Sequence, residues 1–167
     1  RILSKMELDY SSDNTAFFEL VKGRKLAEDF ESKALANSIF DAAEESSPRA
    51  SYILHQRAIL ELSHKSGNLD RANELLRRAE VEVKKEGSTD SSIQHTRANL
   101  LRRRANATNM TVEKERYRAD ARAILRPQLG RRGNFYPENL YGQLLLDELR
   151  DAFEESAHGH SNTVDNV

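Results

Sequence analysis

Ile53-Leu54-His55-Gln56-Arg57-Ala58-Ile59-Leu60 returns 40 residues later as Ile93-Gln94-His95-Thr96-Arg97-Ala98-Asn99-Leu100. Ile, His, Arg, Ala and Leu recur in register, at five of eight positions. Each stretch sits at the same place in a helix-loop-helix unit. A supersecondary unit repeated at this period marks a stacked helical array, which buries its core only by packing unit on unit. Such arrays offer surfaces and rarely carry chemistry.

Working outward, the spacing of apolar residues predicts helix nearly everywhere. A first helix is expected at about 14–22, closed by Gly23. Arg24 to Glu45 follows, with Leu26, Phe30, Ala34, Ile39, Phe40 and Ala43 at helical spacing. Ser47 as N-cap and Pro48 at the first helical position then start a helix over about 48–65. Its expected face carries Tyr52, His55, Ala58, Ile59 and Leu62, and Gly67 is expected to adopt the left-handed conformation past its end. Asn68-Leu69-Asp70 opens the next helix, with a stripe of Ala72, Leu76 and Ala79, and Gly87 closes it. Two further helices are expected over about 91–107 and from a Thr111 cap to just before Pro127. A last helix, Glu138 to Glu155, carries Leu140, Leu144, Leu145 and Leu149 as its expected apolar face. No segment alternates with the period of a strand, so the expected class is all-α.

The totals agree with that class. The 167 residues include 32% charged and 38% apolar residues, only three Pro and no Cys. The length suits one domain with a real core. The absence of Cys excludes disulfides, thiol nucleophiles and cysteine zinc sites, and fits a reducing compartment, so the expected location is cytoplasmic. No apolar run approaches the roughly 20 residues a membrane span needs. Helical repeats are expected over 1–156, read as the C-terminal part of a longer protein because no Met begins the chain, with a disordered tail over 157–167.

The net charge of −1 conceals a sorting of charge along the chain. Residues 97–132 hold 11 basic against 3 acidic groups, and residues 133–167 hold 1 against 7. Arg97, Arg102, Arg103, Arg104, Arg116, Arg118, Arg122 and Arg126 lie on two successive helices, followed by Arg131 and Arg132. Such a face can track phosphates, but Tyr117, Phe135 and Tyr136 are the only aromatics nearby, so base stacking is poorly supplied. The arginines can instead form a solvated face, bind an acidic partner, or pair with Asp147, Glu148, Asp151, Glu154 and Glu155 of the last helix. The sorting of charge favours the internal pairing.

His55 and His95 occupy equivalent positions, but Ile59 and Asn99 stand four residues on, where a helical metal site would carry a carboxylate. Packing histidines are the expectation. Asn106-Ala107-Thr108 and Asn109-Met110-Thr111 spell glycosylation acceptors but are read as a helix break and cap. No nucleophile–base arrangement emerges, and neither a P-loop nor a Gly-rich dinucleotide motif is present. The expectation is a chain that is no enzyme by itself and takes no cofactor or metal.

Ala36, Phe40, Ala43 and Pro48, at spacings of 4, 3 and 5, resemble the second half of a tetratricopeptide repeat. Ala72, Leu76 and Ala79 keep the 4 and 3, and Tyr117, Ala121 and Ile124 keep the spacing with Ala displaced. The first-helix signature departs from the family, with His55 and Ala58 where an aromatic and a Gly or Leu would stand. The resemblance covers about residues 24–126 and implies an α-α superhelix of tetratricopeptide-like helical hairpins. Leu54 to Glu61, the Gly-Asn-Leu-Asp turn, Ile93 to Ala98 and Arg116 to Arg122 also resemble the C-terminal repeats of bacterial antiviral STAND NTPases and SIR2-linked defence proteins. That likeness implies a sensor domain that binds a phage protein.

Together these readings point to a protein-recognition module. Its expected binding residues are Tyr52, Arg97, Arg102, Arg103, Arg104, Arg116, Tyr117, Arg118, Arg122 and Arg126. The expected partner is a protein, viral under the narrower resemblance, with no membrane role and with oligomers formed through the full-length protein. The alternatives are a nucleic-acid-binding helical domain using Arg97–Arg132, and an oligomerising scaffold.

Overall fold

A computed structural model describes residues 33–46, 50–64, 66–87, 91–130 and 135–161. Among them are six α-helices: α1 (Lys33–Ser46), α2 (Ala50–Ser63), α3 (Leu69–Lys85), α4 (Ser91–Ala107), α5 (Thr111–Leu125) and α6 (Tyr136–Ser161). A 3-10 turn, Arg126–Gln128, follows α5. No strand occurs among the described residues, so the all-α expectation holds there. None of the helices is long and apolar enough to cross a membrane. The helix expected at 14–22, the Ser47–Pro48 start, Arg131 and Arg132 lie outside the described residues.

The chain packs as two compact units, one through Ile93 and one from Gln94 onward. In the first, α1 presents Ala36, Phe40 and Ala43 to Ile53 and Leu60 of α2, with Tyr52 against the same cluster. The small residues bring the helices close, and Phe40, fully buried, fills the gap between them. Burying such a side chain contributes about 1.5–3 kcal/mol.

The most extensive helix pairing joins α2 to α3, where Ala72, Leu75, Leu76 and Ala79 are buried. α2 is buried nearly all round, from Ser51 to Leu62. Such a helix must satisfy its polar groups internally. Ser51 Oγ donates to Glu86 at 2.7 Å, and Glu61 accepts from the Asn68 N–H at 2.9 Å and pairs with Lys33 at 2.6 Å. His55 is buried with its Nδ1 3.4 Å from Ser92 Oγ, an interhelical packing position.

Turn chemistry sets the ends of α3. The Asn68 side chain accepts from the N–H groups of Asp70 and Arg71, both at 2.9 Å. Asp70 in the first turn and Lys84 and Lys85 in the last complement the helix dipole. Gly87 follows with φ +64°, the left-handed residue that stops the helix. Gly67 differs from expectation, since its φ is not positive. It is needed for close approach instead: a Cβ there would overlap the Glu61 carbonyl oxygen.

The second unit is built on Ala98 of α4, Ala121 and Leu125 of α5, and Leu140 and Leu144 of α6, with Leu101, Ile124 and Tyr141 packed against them. The echoed positions Ile93, Ala98 and Leu100 are as buried as Ile53, Ala58 and Leu60. Thr111 is not the cap of α5 but lies inside the helix; Met110 holds the N-cap position without a side-chain bond. Thr108 Oγ1 accepts the Met110 N–H at 3.2 Å and so fixes the chain just before the helix. α6 continues past Glu155 to Ser161.

Candidate functional site

The arginine segment meets the acids of α6. Arg102 Nε donates to Asp147 at 2.7 Å, and Asn106 donates to the same oxygen at 2.7 Å. Lys114 and Arg118 converge on Asp151 Oδ2, each at 2.7 Å. Arg122 pairs with Glu148. Spacing explains the match: residues 114, 118 and 122 share one face of α5, while 147, 148 and 151 line the adjoining side of α6.

Arg118 is only 2% exposed, so its charge depends on Asp151 and on Glu115 at 3.3 Å. The hydrogen bond from Lys114 holds the Asp151 carboxyl below the usual carboxylate range, opposed by burial and reinforced by Arg118. Arg102, Lys114, Arg118 and Arg122 are therefore paired within their own unit.

The other candidate residues are placed as follows. Arg97 and Arg104 are half-buried and engaged in interactions of their own. Arg103, Arg116 and Arg126 are exposed, and the Arg116 guanidinium lies 5.2 Å from the centre of the Tyr117 ring. Tyr52 packs against the core of the first unit. His95 sits edge-on to Tyr136, with ring centroids 6.0 Å apart, and burial lowers its pKa. Among the described residues no cluster of His, Cys, Asp and Glu is arranged to hold a metal.

The face of α6 differs from expectation. Leu140 and Leu144 are buried as expected, but Leu145 and Leu149 are not. Pro137, Leu140, Leu144 and Asp147 form the inward side at spacings of 3, 4 and 3. The expected set straddled two sides of the helix. On the outward side Leu145 is 46% exposed, Leu146 65%, Leu149 53% and Phe153 68%. At 100° per residue these four fall within an arc of about 100°, the width of an amphipathic helix's apolar stripe.

Gly142 lies on the same arc with open space where a Cβ would stand, so a neighbouring backbone can approach closely there. No charged group lies within the strip; Glu148 and Glu155 border one edge and Arg150 the other. Sequence reasoning missed this surface because it assigned Leu145 and Leu149 to the core together with Leu140 and Leu144.

A second polar constellation lies in the first unit. Asp41, Glu44, Arg57, Arg71 and Arg78 line a cavity of about 590 Å³. Arg57 Nη1 forms an ion pair with Asp41 at 2.8 Å and donates to Glu44 at 2.9 Å, and Arg78 also pairs with Glu44. Arg57 was visible in the sequence as an echoed position; its meeting with Arg71 and Arg78 depends on how α1, α2 and α3 pack. Comparison of the chain with family models, with curated proteins and with solved structures found no match to any of them.

Proposed function

We propose that this chain is a non-catalytic protein-recognition module that receives an apolar helix of another protein on the outward side of α6. The observation that carries the proposal is the strip of Leu145, Leu146, Leu149 and Phe153, exposed together and free of charge within its bounds. A contiguous exposed apolar patch costs solubility and marks a surface that another surface covers. A helix laid against it would anchor at i, i+3/i+4 and i+7 positions, with Gly142 admitting close backbone approach.

A different protein suits the strip better than a second copy of this chain packed antiparallel. Two-fold antiparallel pairing sets each edge of the helix against its own copy, so the Glu148–Glu155 edge would face itself and Arg150 would face Arg150. The test is mass in solution against concentration, with and without Leu149→Asp. A monomer at tens of micromolar supports a foreign partner; a dimer abolished by Leu149→Asp supports the scaffold reading instead.

The nucleic-acid reading is disfavoured by the pairing of Arg102, Arg118 and Arg122 with acids of α6. It predicts binding to DNA or RNA that falls steeply and log-linearly with salt. Absence of binding at low salt removes it. The short strings resembling antiviral defence proteins extend the proposal to a sensor with a phage protein as partner. Loss of phage protection by the full-length protein on Leu149→Asp would support that extension.

A further inference from the structure

The charged cavity belongs to the first unit and the α6 strip to the second, and the inference drawn from the cavity does not depend on that strip. Its floor is Arg57, a guanidinium more than nine-tenths buried whose Nε–H has no hydrogen-bond partner. One nitrogen of this side chain, Nη1, serves both Asp41 and Glu44 while Nε is left without an acceptor. Guanidinium prefers a planar fork to a carboxylate, so the bonding of Arg57 is incomplete.

At the rim stand Arg71 and Arg78, with side chains 40% and 44% exposed. Arg78 shares Glu44 with Arg57. Arg71 pairs outside the cavity lining, with the exposed Glu74 one turn along α3 at 2.7 Å, a type of pair that solvent opens readily. Among the described residues Arg57, Arg71 and Arg78 line the cavity with Asp41 and Glu44, and Arg71 is balanced by the solvent-exposed Glu74. A salt-bridge network tying α1, α2 and α3 together accounts for Arg57 and Arg78. It accounts neither for the space of about 590 Å³ nor for Arg71 at its mouth.

We infer that this cavity receives a carboxylate side chain of an acidic peptide segment, held between Arg71 and Arg78 over the Arg57 floor. One carboxylate can take the place of the exposed Glu74 on Arg71, whereas a phosphate dianion would bring a second negative charge beside Asp41 and Glu44. The volume lies in the usual range for ligand pockets, about 300–1,000 Å³, and admits a side chain with its flanking backbone. Because the cavity also carries two carboxylates, an acid entering it must be oriented, with its oxygens toward Arg71 and Arg78 and away from Asp41. That requirement gives selectivity for a shaped ligand over a diffuse anion.

The test is an NMR titration of the full chain, following the arginine side-chain Nε–H signals at constant ionic strength. The probes are acetyl-tetraglutamate amide, acetyl-tetraglutamine amide and inorganic phosphate. The expected result is saturable shifts of Arg71 and Arg78 with tetraglutamate, none with tetraglutamine, and at least five-fold weaker binding of phosphate. Arg71→Gln and Arg78→Gln, both at exposed positions, should each weaken tetraglutamate binding at least five-fold. Equal response to phosphate, no saturable response to tetraglutamate, or full affinity in both variants overturns the inference. The comparison of the three probes on the unsubstituted chain decides the matter even if a variant misfolds.

Discussion

Gly67 shows how one residue can matter for a reason different from the one its identity first suggests. A glycine after a helix usually supplies a left-handed turn, but here it lets the chain pass against the Glu61 carbonyl. Gly67→Ala must displace backbone, and the expected loss is about 1–3 kcal/mol of unfolding free energy, read by urea denaturation. Gly87 lies at φ +64° with open space around it, so Gly87→Ala should cost only about 1 kcal/mol, from the backbone alone. Asp151 is the matching case in charge. Its folded pKa lies below the unfolded value, so its contribution is complete above about pH 4 and is lost as pH falls through the folded pKa. Asp151→Asn should flatten that acid limb and destabilise by about 3 kcal/mol, because Arg118 stays buried with only Glu115 beside it. His95 acts in the same direction at higher pH. Burial lowers its pKa, so stability should begin to fall as pH drops below about 6.5, a slope that His95→Gln removes.

At the scale of the helix, α6 decides between core and surface. Leu144 is 1% exposed and Leu149 53%, although they stand five residues apart in one leucine-rich run. Leu144→Ala should cost about 2–5 kcal/mol by urea unfolding, whereas Leu149→Ser should change stability by no more than about 0.5 kcal/mol. Equal losses would mean that the strip is core. The same helix marks what the sequence makes legible. Ala36, Phe40 and Ala43, and again Ala72, Leu76 and Ala79, are read correctly as buried because each helix offers a single apolar stripe. α6 offers two adjoining stripes, and periodicity carries no information about which one meets a neighbour. The pairing of the arginine segment with α6 is legible from the sorting of charge, since neighbouring helices of opposite charge pack together readily. The cavity is not, because Arg57, Arg71 and Arg78 lie on two helices and converge with Asp41 and Glu44 only through the packing of a third.

At the scale of the whole molecule, the two units divide their polar residues differently. The second unit pairs Arg102, Arg118 and Arg122 with its own acids and leaves an uncharged strip outside. The first unit keeps Arg71, paired with the exposed Glu74, at the mouth of a cavity. The central proposal for the molecule is that the α6 strip is a docking face for a different protein. The most direct measurement is photocrosslinking from a benzoylphenylalanine placed at Leu149 of the full-length protein in its native cells, with the captured protein then purified and titrated against this chain. The account predicts one heteromeric adduct whose purified partner binds the chain directly and loses at least ten-fold in affinity with Phe153→Ser. Adducts formed only with other copies of the chain, or a purified partner indifferent to Phe153→Ser, would contradict it.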